Sequence, residues 1–125
     1  MAKMFRSLKE FVLSSLRNAG AFRLTSLTNW RRQRLLILCY HGISLEDEHE
    51  WYPGLYLTPE MFQSRMETLK RDRCSVVSLQ DGVTRLYCGE LPRKSVAITF
   101  DDGFYDFYER AFPILQKHGF PATVH

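Results

Sequence analysis

The run Val96-Ala97-Ile98-Thr99-Phe100, closed by Asp101-Asp102-Gly103, narrows the possible folds more than any other feature of the chain. An unbroken apolar segment of this length, ended by turn chemistry, suits a strand covered on both faces in a parallel sheet. Parallel α/β proteins place their reactive groups at the carboxyl ends of such strands. Two carboxylates crowded into one strand end cannot both be relaxed anions without help, so a metal, a shared proton or a cationic partner is expected beside Asp101 and Asp102. The plainer alternative is that Asp101 caps the turn and Asp102 a following helix, which is an ordinary use of Asp before Gly.

A second apolar run, residues 35–40, ends in the same manner at His41-Gly42. Between the two runs, Thr58-Pro59-Glu60 supplies an N-cap, a proline at the first helical position and an acid in the first turn. A helix is predicted from there to about Arg71, burying Phe62, Met66 and Leu69. Residues 75–78 read as a short strand, and Ser78, three residues before Asp81, as the cap of a helix ending at Gly89. The last helix is predicted within residues 107–118, with Pro113 marking a kink or a late start and Gly119 its end. Residues 120–125 read as a fourth strand, and the acidic stretch 46–50 as a loop. Strands alternating with helices imply right-handed crossovers into a parallel sheet, hence an α/β fold with residues 35–40 and 95–100 as parallel neighbours or near-neighbours. His41, Asp101 and Asp102 then face one pocket.

With 45% hydrophobic and 14% aromatic residues, 125 residues make one domain with a real core, which excludes a disordered chain. The net charge of +3 conceals an asymmetry: residues 1–34 hold eight Lys or Arg against one acid, Glu10, whereas the rest holds nine basic and thirteen acidic residues. The chain therefore divides into a basic arm, residues 1–34, and a domain, residues 35–125. Within the arm, Phe5, Leu8, Val12, Leu16 and Ala19 recur at steps of three and four among Lys3, Arg6, Lys9 and Arg17, predicting a basic amphipathic helix over residues 4–19. Such a helix packs on its own domain or makes peripheral contact with an anionic membrane surface. No nucleic-acid partner is expected. Three cysteines without Cys-x-x-Cys spacing exclude a disulfide framework and a zinc knuckle and read as reduced thiols. With no secretory signal or transmembrane span expected, the predicted location is the cytoplasm or the inner membrane surface.

The pentapeptide Thr99-Phe100-Asp101-Asp102-Gly103 resembles the first motif of the polysaccharide deacetylases, the NodB homology domain of carbohydrate esterase family 4. The resemblance extends to residues 36–43, 56–62, 111–115 and 119–123, in matching order and spacing. It implies a distorted (β/α) barrel of which this chain carries the first half. It implies, too, a metal-dependent hydrolase that removes N-acetyl groups from the sugars of a polysaccharide, acting on carbon–nitrogen bonds other than peptide bonds. In that frame Asp101 is the general base and Asp102 a ligand of a divalent cation, zinc or similar. Tyr40-His41 is similar to an element of the branch acting on poly-N-acetylglucosamine-like glycans, where the histidine looks like a pocket residue. His41 then donates to the leaving amine or steadies the oxyanion; as a residue by itself, a strand-end histidine is more often a hydrogen-bonded structural one.

A catalytic zinc takes three protein ligands, and the family draws its other two from a His-x-x-x-His motif. His41, His49, His118 and His125 lack that spacing. Either the ligands lie beyond residue 125 in a longer parent, or the chain is catalytically incomplete. The rival readings are an inactive fragment and a protein that binds membrane or polyanion through its basic arm. An aspartyl phosphotransferase is excluded, because its second Asp falls where this chain has Gly103. His118 reads as a cation at a helix C-terminus and His49 as a solvated loop residue. Phe104, Tyr105, Phe107 and Tyr108 read as core or as a sugar-stacking wall.

Overall fold

The structure is a computed structural model, and it describes residues 14–15 and 33–125. Ser14 and Ser15 are helical; the rest of the amphipathic segment expected over residues 4–19 lies outside the described residues. Residues Gln33–His125 form one compact unit.

The unit is α/β, with elements in the order β1 (Leu36–Tyr40), β2 (Gly42–Ile43), α1 (Glu48–Trp51), β3 (Tyr56–Leu57), α2 (Pro59–Arg71), β4 (Ser75–Val76), α3 (Leu79–Cys88), β5 (Ser95–Phe100), a π-helical turn (Phe107–Ala111), α4 (Phe112–His118) and β6 (Thr123–Val124). β5 is the centre of the main sheet. It pairs with β1 along its whole length, Leu36 opposite Val96 through Tyr40 opposite Phe100. Its other edge is shared: β4 pairs with its start and β6 with its end. All three pairings are parallel, and a separate parallel pair, β2 with β3, sits beyond the end of β1.

Local chemistry accounts for the helices. Thr58 accepts the Met61 N–H at 3.2 Å and Pro59 takes the first helical position of α2, while Ser78 accepts the Asp81 N–H at 3.1 Å to start α3. Gly89 and Gly119 close α3 and α4 with φ of 72° and 65°, a left-handed conformation that costs glycine nothing. The last helix begins before Pro113, and the wide π turn ahead of it takes up the backbone mismatch at the proline.

Alternation along the paired strands divides the sheet into two faces. Leu38, Tyr40, Val96, Ile98 and Phe100 point toward the helices and pack with Phe62, Met66, Leu69, Ala111 and Leu115 in one core. Phe100 is its hub, with ring centroids 5.5 Å from Tyr40, 5.7 Å from Phe62 and 4.8 Å from Phe107. Cys39, His41, Thr99 and Asp101 belong to the opposite face.

Three expectations change. β1 is not covered on both faces: Leu36 is 55% and Ile37 49% exposed, and among the described residues only β5 flanks this strand in the main sheet. The acidic stretch is not all loop, since Glu48–Trp51 forms one helical turn. His49 is not simply solvated, because its backbone N–H donates to Ser44 Oγ at 3.0 Å and its Nδ1 lies 3.1 Å from the same oxygen. No helix among the described residues is long and apolar enough to cross a membrane.

Candidate active site

The β1–β5 ladder runs one residue past the strands, where the Asp101 N–H donates to the Tyr40 carbonyl at 2.9 Å. On the far side of β5 the His125 N–H donates to the Phe100 carbonyl, also at 2.9 Å. Asp101 therefore leaves the sheet from a backbone clamped on both edges. The same register brings His41 beside it from the end of β1. His41 Nε2 lies 3.6 Å from Asp101 Oδ2, and the Cys39 thiol donates to that oxygen at 3.4 Å. Imidazole and thiol thus converge on one carboxylate oxygen, Oδ2. The His41 and Asp101 side chains are 45% and 43% exposed, so the pair is screened by water and orients the groups more than it stabilises the fold.

Asp102 is exposed and has φ of +56°, a strained conformation for a residue bearing a Cβ. Asp tolerates that region better than most residues bearing a Cβ. The turn thus relies on Asp102 for its left-handed step and on Gly103 for space. A Cβ on Gly103 would lie 2.7 Å from Val124 Cγ1, so the glycine admits close approach of β6. His41 and Asp101 are brought together; Asp102 makes no side-chain contact with either that amounts to a hydrogen bond or ion pair.

Asp106 is a site component that the sequence reading missed. It is 5% exposed, and its Oδ2 accepts the Ile43 N–H at 2.7 Å across 63 residues of chain. The geometry of β2 explains why that bond is needed. The Gly42 and Ser44 N–H groups donate to Leu55 and Leu57 of the β3 segment, so the intervening Ile43 N–H points the other way, into the interior. Leaving it unmet would cost about 1–3 kcal/mol. The signal in the sequence was slight: one carboxylate among the aromatics Phe104, Tyr105, Phe107 and Tyr108. Of these, Phe107 joins the core, whereas Phe104, Tyr105 and Tyr108 are 56%, 68% and 66% exposed. The Glu109 carboxylate accepts the Tyr105 hydroxyl at 3.2 Å and holds its pKa above the usual phenol range.

Beside His41 a cleft of about 200 Å³ is lined by Cys39, Tyr40, Leu55, Tyr56 and Arg65. The Arg65 guanidinium lies 5.8 Å from the centroid of the Tyr40 ring, a cation–π contact on the cleft wall. Neither His118 nor His125 lines this cleft. The His118 ring stacks on Phe120 at 5.4 Å, with both nitrogens buried and lacking hydrogen-bond partners, so it serves as an aromatic packing piece where a cation at a helix C-terminus was expected.

Fold and site together define a parallel α/β protein carrying an acid–imidazole pair at the carboxyl ends of adjacent strands. The family model for polysaccharide deacetylase matches residues 89–125. The chain is 28% identical over 116 residues to the poly-beta-1,6-N-acetyl-D-glucosamine N-deacetylase of Staphylococcus epidermidis, covering 85% of this chain and 40% of that one. Among solved structures, it is similar to the Streptococcus pyogenes deacetylase PplD in complex with acetate, with a TM-score of 0.65 and 33% identity over 73% of this chain and 41% of the other. It is similar also to a de-N-acetylase from Aggregatibacter actinomycetemcomitans, with a TM-score of 0.60 and 28% identity over 72% of this chain and 36% of the other. Residues 89–125 thus match the polysaccharide deacetylase model, and the chain is similar to deacetylases over about three-quarters of its length. It spans about two-fifths of the length of these relatives.

Whether the donors present suit a metal can be tested on the site itself. Asp102 offers one ligand where a catalytic zinc takes three. Among the described residues no group of three His, Cys, Asp or Glu side chains is placed to hold a metal ion. The described residues therefore do not form a metal site by themselves.

Proposed function

We propose that this chain supplies the acid–base portion of an N-deacetylase acting on the N-acetylated sugars of a polysaccharide. The observation that carries the reading is the meeting of His41 and Asp101, at 3.6 Å, on the ends of adjacent parallel strands in a chain similar to polysaccharide deacetylases. Asp101 is the general base. Its backbone is clamped between β1 and β6, Cys39 and His41 hold Oδ2, and the carboxylate accepts a proton from water as that water attacks the acetyl carbonyl carbon. His41 is the general acid that delivers a proton to the sugar nitrogen as the carbon–nitrogen bond breaks. The products are acetate and a free amine, and the proton balance closes between the two residues. A histidine suits this role because its ordinary pKa lies near neutrality.

Asp102 is the first ligand of a divalent cation, and this reading requires further ligands from outside the described residues. The substrate class is a poly-N-acetylglucosamine-like glycan, the polymer named for the staphylococcal relative. Exposed Trp51 and Tyr52 beside the cleft, with Phe104 and Tyr105 after the Asp-Asp-Gly turn, offer flat apolar surfaces suited to the faces of pyranose rings.

Acetate release from N-acetylglucosamine oligomers, measured on the naturally expressed protein supplied with divalent metals, tests the proposal. Release that disappears in Asp101→Asn supports it. No release by the unaltered protein under any metal tried would overturn it.

A further inference from the structure

Asp106 is buried, ionisable and unused by the mechanism above, and its surroundings argue against the ordinary explanation for an Asp at a helix start. It precedes the π turn with helical φ and ψ of −60° and −32°, and its carboxylate caps none of that helix's own N–H groups. Its Oδ2 reaches instead to the Ile43 N–H, two residues after His41. Gly42 lies between them, and a Cβ there would come within 2.9 Å of the same oxygen and closer still to the Tyr56 ring. The chain after His41 is thus pressed against a carboxylate that belongs to the Asp101-Asp102 segment.

We infer that Asp106 is a positioning residue that fixes the His41 segment against Asp101, so that base and acid keep one relative geometry. The two segments are tied on either side of His41: the Asp101 N–H bonds to Tyr40 on one side, and on the other Asp106 bonds to Ile43, with Arg110 donating to the Leu45 carbonyl at 3.3 Å further on. With a fixed point on either side, the imidazole has little freedom to swing from Oδ2. Loss of the second point leaves the β1–β5 ladder and the Gly42 and Ser44 bonds to Leu55 and Leu57 in place but loosens the tie of the His41 segment to the Asp101 segment. A carboxylate accepting a backbone N–H at 2.7 Å is a charge-assisted bond, stronger and more directional than a neutral one. Asparagine can still accept that bond through Oδ1, whereas alanine cannot.

The kinetic consequence rests on the deacetylase reading; the structural one does not. Amide hydrogen exchange by NMR on this chain gives the structural test. In Asp106→Ala the Ile43 amide should exchange about tenfold faster or more, with Leu38 and Ile98 unchanged, and Asp106→Asn should restore most of the protection. Equal exchange at Ile43 in the alanine variant and the parent would overturn the inference, whether or not the protein deacetylates anything. In the naturally expressed protein, Asp106→Ala should lower kcat by roughly tenfold with KM little changed, and should cost little further when added to His41→Ala. Losses that multiply would show that Asp106 does not act through His41 and would overturn the inference. If the alanine variant fails to fold, Asp106→Asn carries the same cycle: a smaller kcat loss that vanishes on the His41→Ala background supports the inference, and one that persists overturns it.

Discussion

β1 and β5 are near twins in sequence and opposites in environment. Each is a continuous apolar run ended by an ionisable residue and a short polar turn, and the two lie side by side in perfect register. Yet all six residues of β5 are buried, while Leu36, Ile37 and Cys39 of β1 are exposed. The difference comes from neighbours. β5 has strands on both edges and helices against one face, whereas β1 has a partner on one edge in the main sheet. Apolarity specifies that a segment wants cover; only the rest of the fold decides how much cover it receives. The site inherits the contrast, because Asp101 stands on the rigid central strand and His41 on the edge strand, where a second anchor is needed.

That asymmetry sets the largest expected effect. Removing the base, Asp101→Asn, should lower acetate release by about 10²–10⁴-fold in the naturally expressed protein, in line with the usual worth of a general base. The metal content should be unchanged, because Asp102 is left in place. Asp102→Ala should lose metal and turnover together, and chelation of the unaltered protein should reproduce that loss. His41→Ala on the edge strand should cost less than Asp101→Asn. If it costs more, the ranking of the two strand ends is wrong and the imidazole is the principal group.

Stability gives the next test, on the strands themselves. Phe100→Ala removes the hub of the aromatic core and should destabilise the chain by about 3–5 kcal/mol in urea unfolding. Ile37→Ala, on the exposed face of β1, should cost less than about 1 kcal/mol. Equal costs would break the comparison. A far larger cost for Ile37→Ala in the naturally expressed protein than in these 125 residues would sharpen it, by showing that β1 is covered there.

The features legible in the sequence were those with local causes. Thr58, Ser78, Gly89 and Gly119 mark helix ends through bonds and backbone angles confined to a few residues, and the structure has each where the pattern placed it. The β1–β5 pairing was legible because two apolar runs separated by helical crossovers leave few arrangements. What escaped depends on contacts distant in sequence. Asp106 looks like a helix-start Asp until Ile43 is brought against it, and His49 like a solvated residue until Ser44 turns inward. Gly103 read as the turn residue, whereas the left-handed step falls on Asp102, since only the approach of Val124 reveals why the glycine is required. His118 follows the same rule: both ring nitrogens lack partners, so His118→Phe should leave stability unchanged or slightly raised, because it removes polar atoms that pay for burial without a bond.

The smallest expected effect lies far from the strands, at the start of α2. The Glu60 carboxylate is held below the ordinary glutamate range chiefly by the N–H of its own backbone, then by the Thr58 hydroxyl. A pKa depressed in the folded state means that the unfolded chain takes up the proton first as pH falls. The stabilising contribution is therefore complete above the unfolded-state pKa of glutamate, near 4.5, and is lost as pH drops through the lower folded value. Glu60→Gln should remove that acid-side dependence and leave unfolding near neutral pH only slightly easier, since the group is solvent-exposed and its bonds are shared with water. Thermal melts of parent and variant should therefore separate a little at pH 7 and converge toward pH 3. Curves that stay parallel across that window would show that Glu60 contributes nothing through its charge, leaving Thr58 and Pro59 to set the start of the helix.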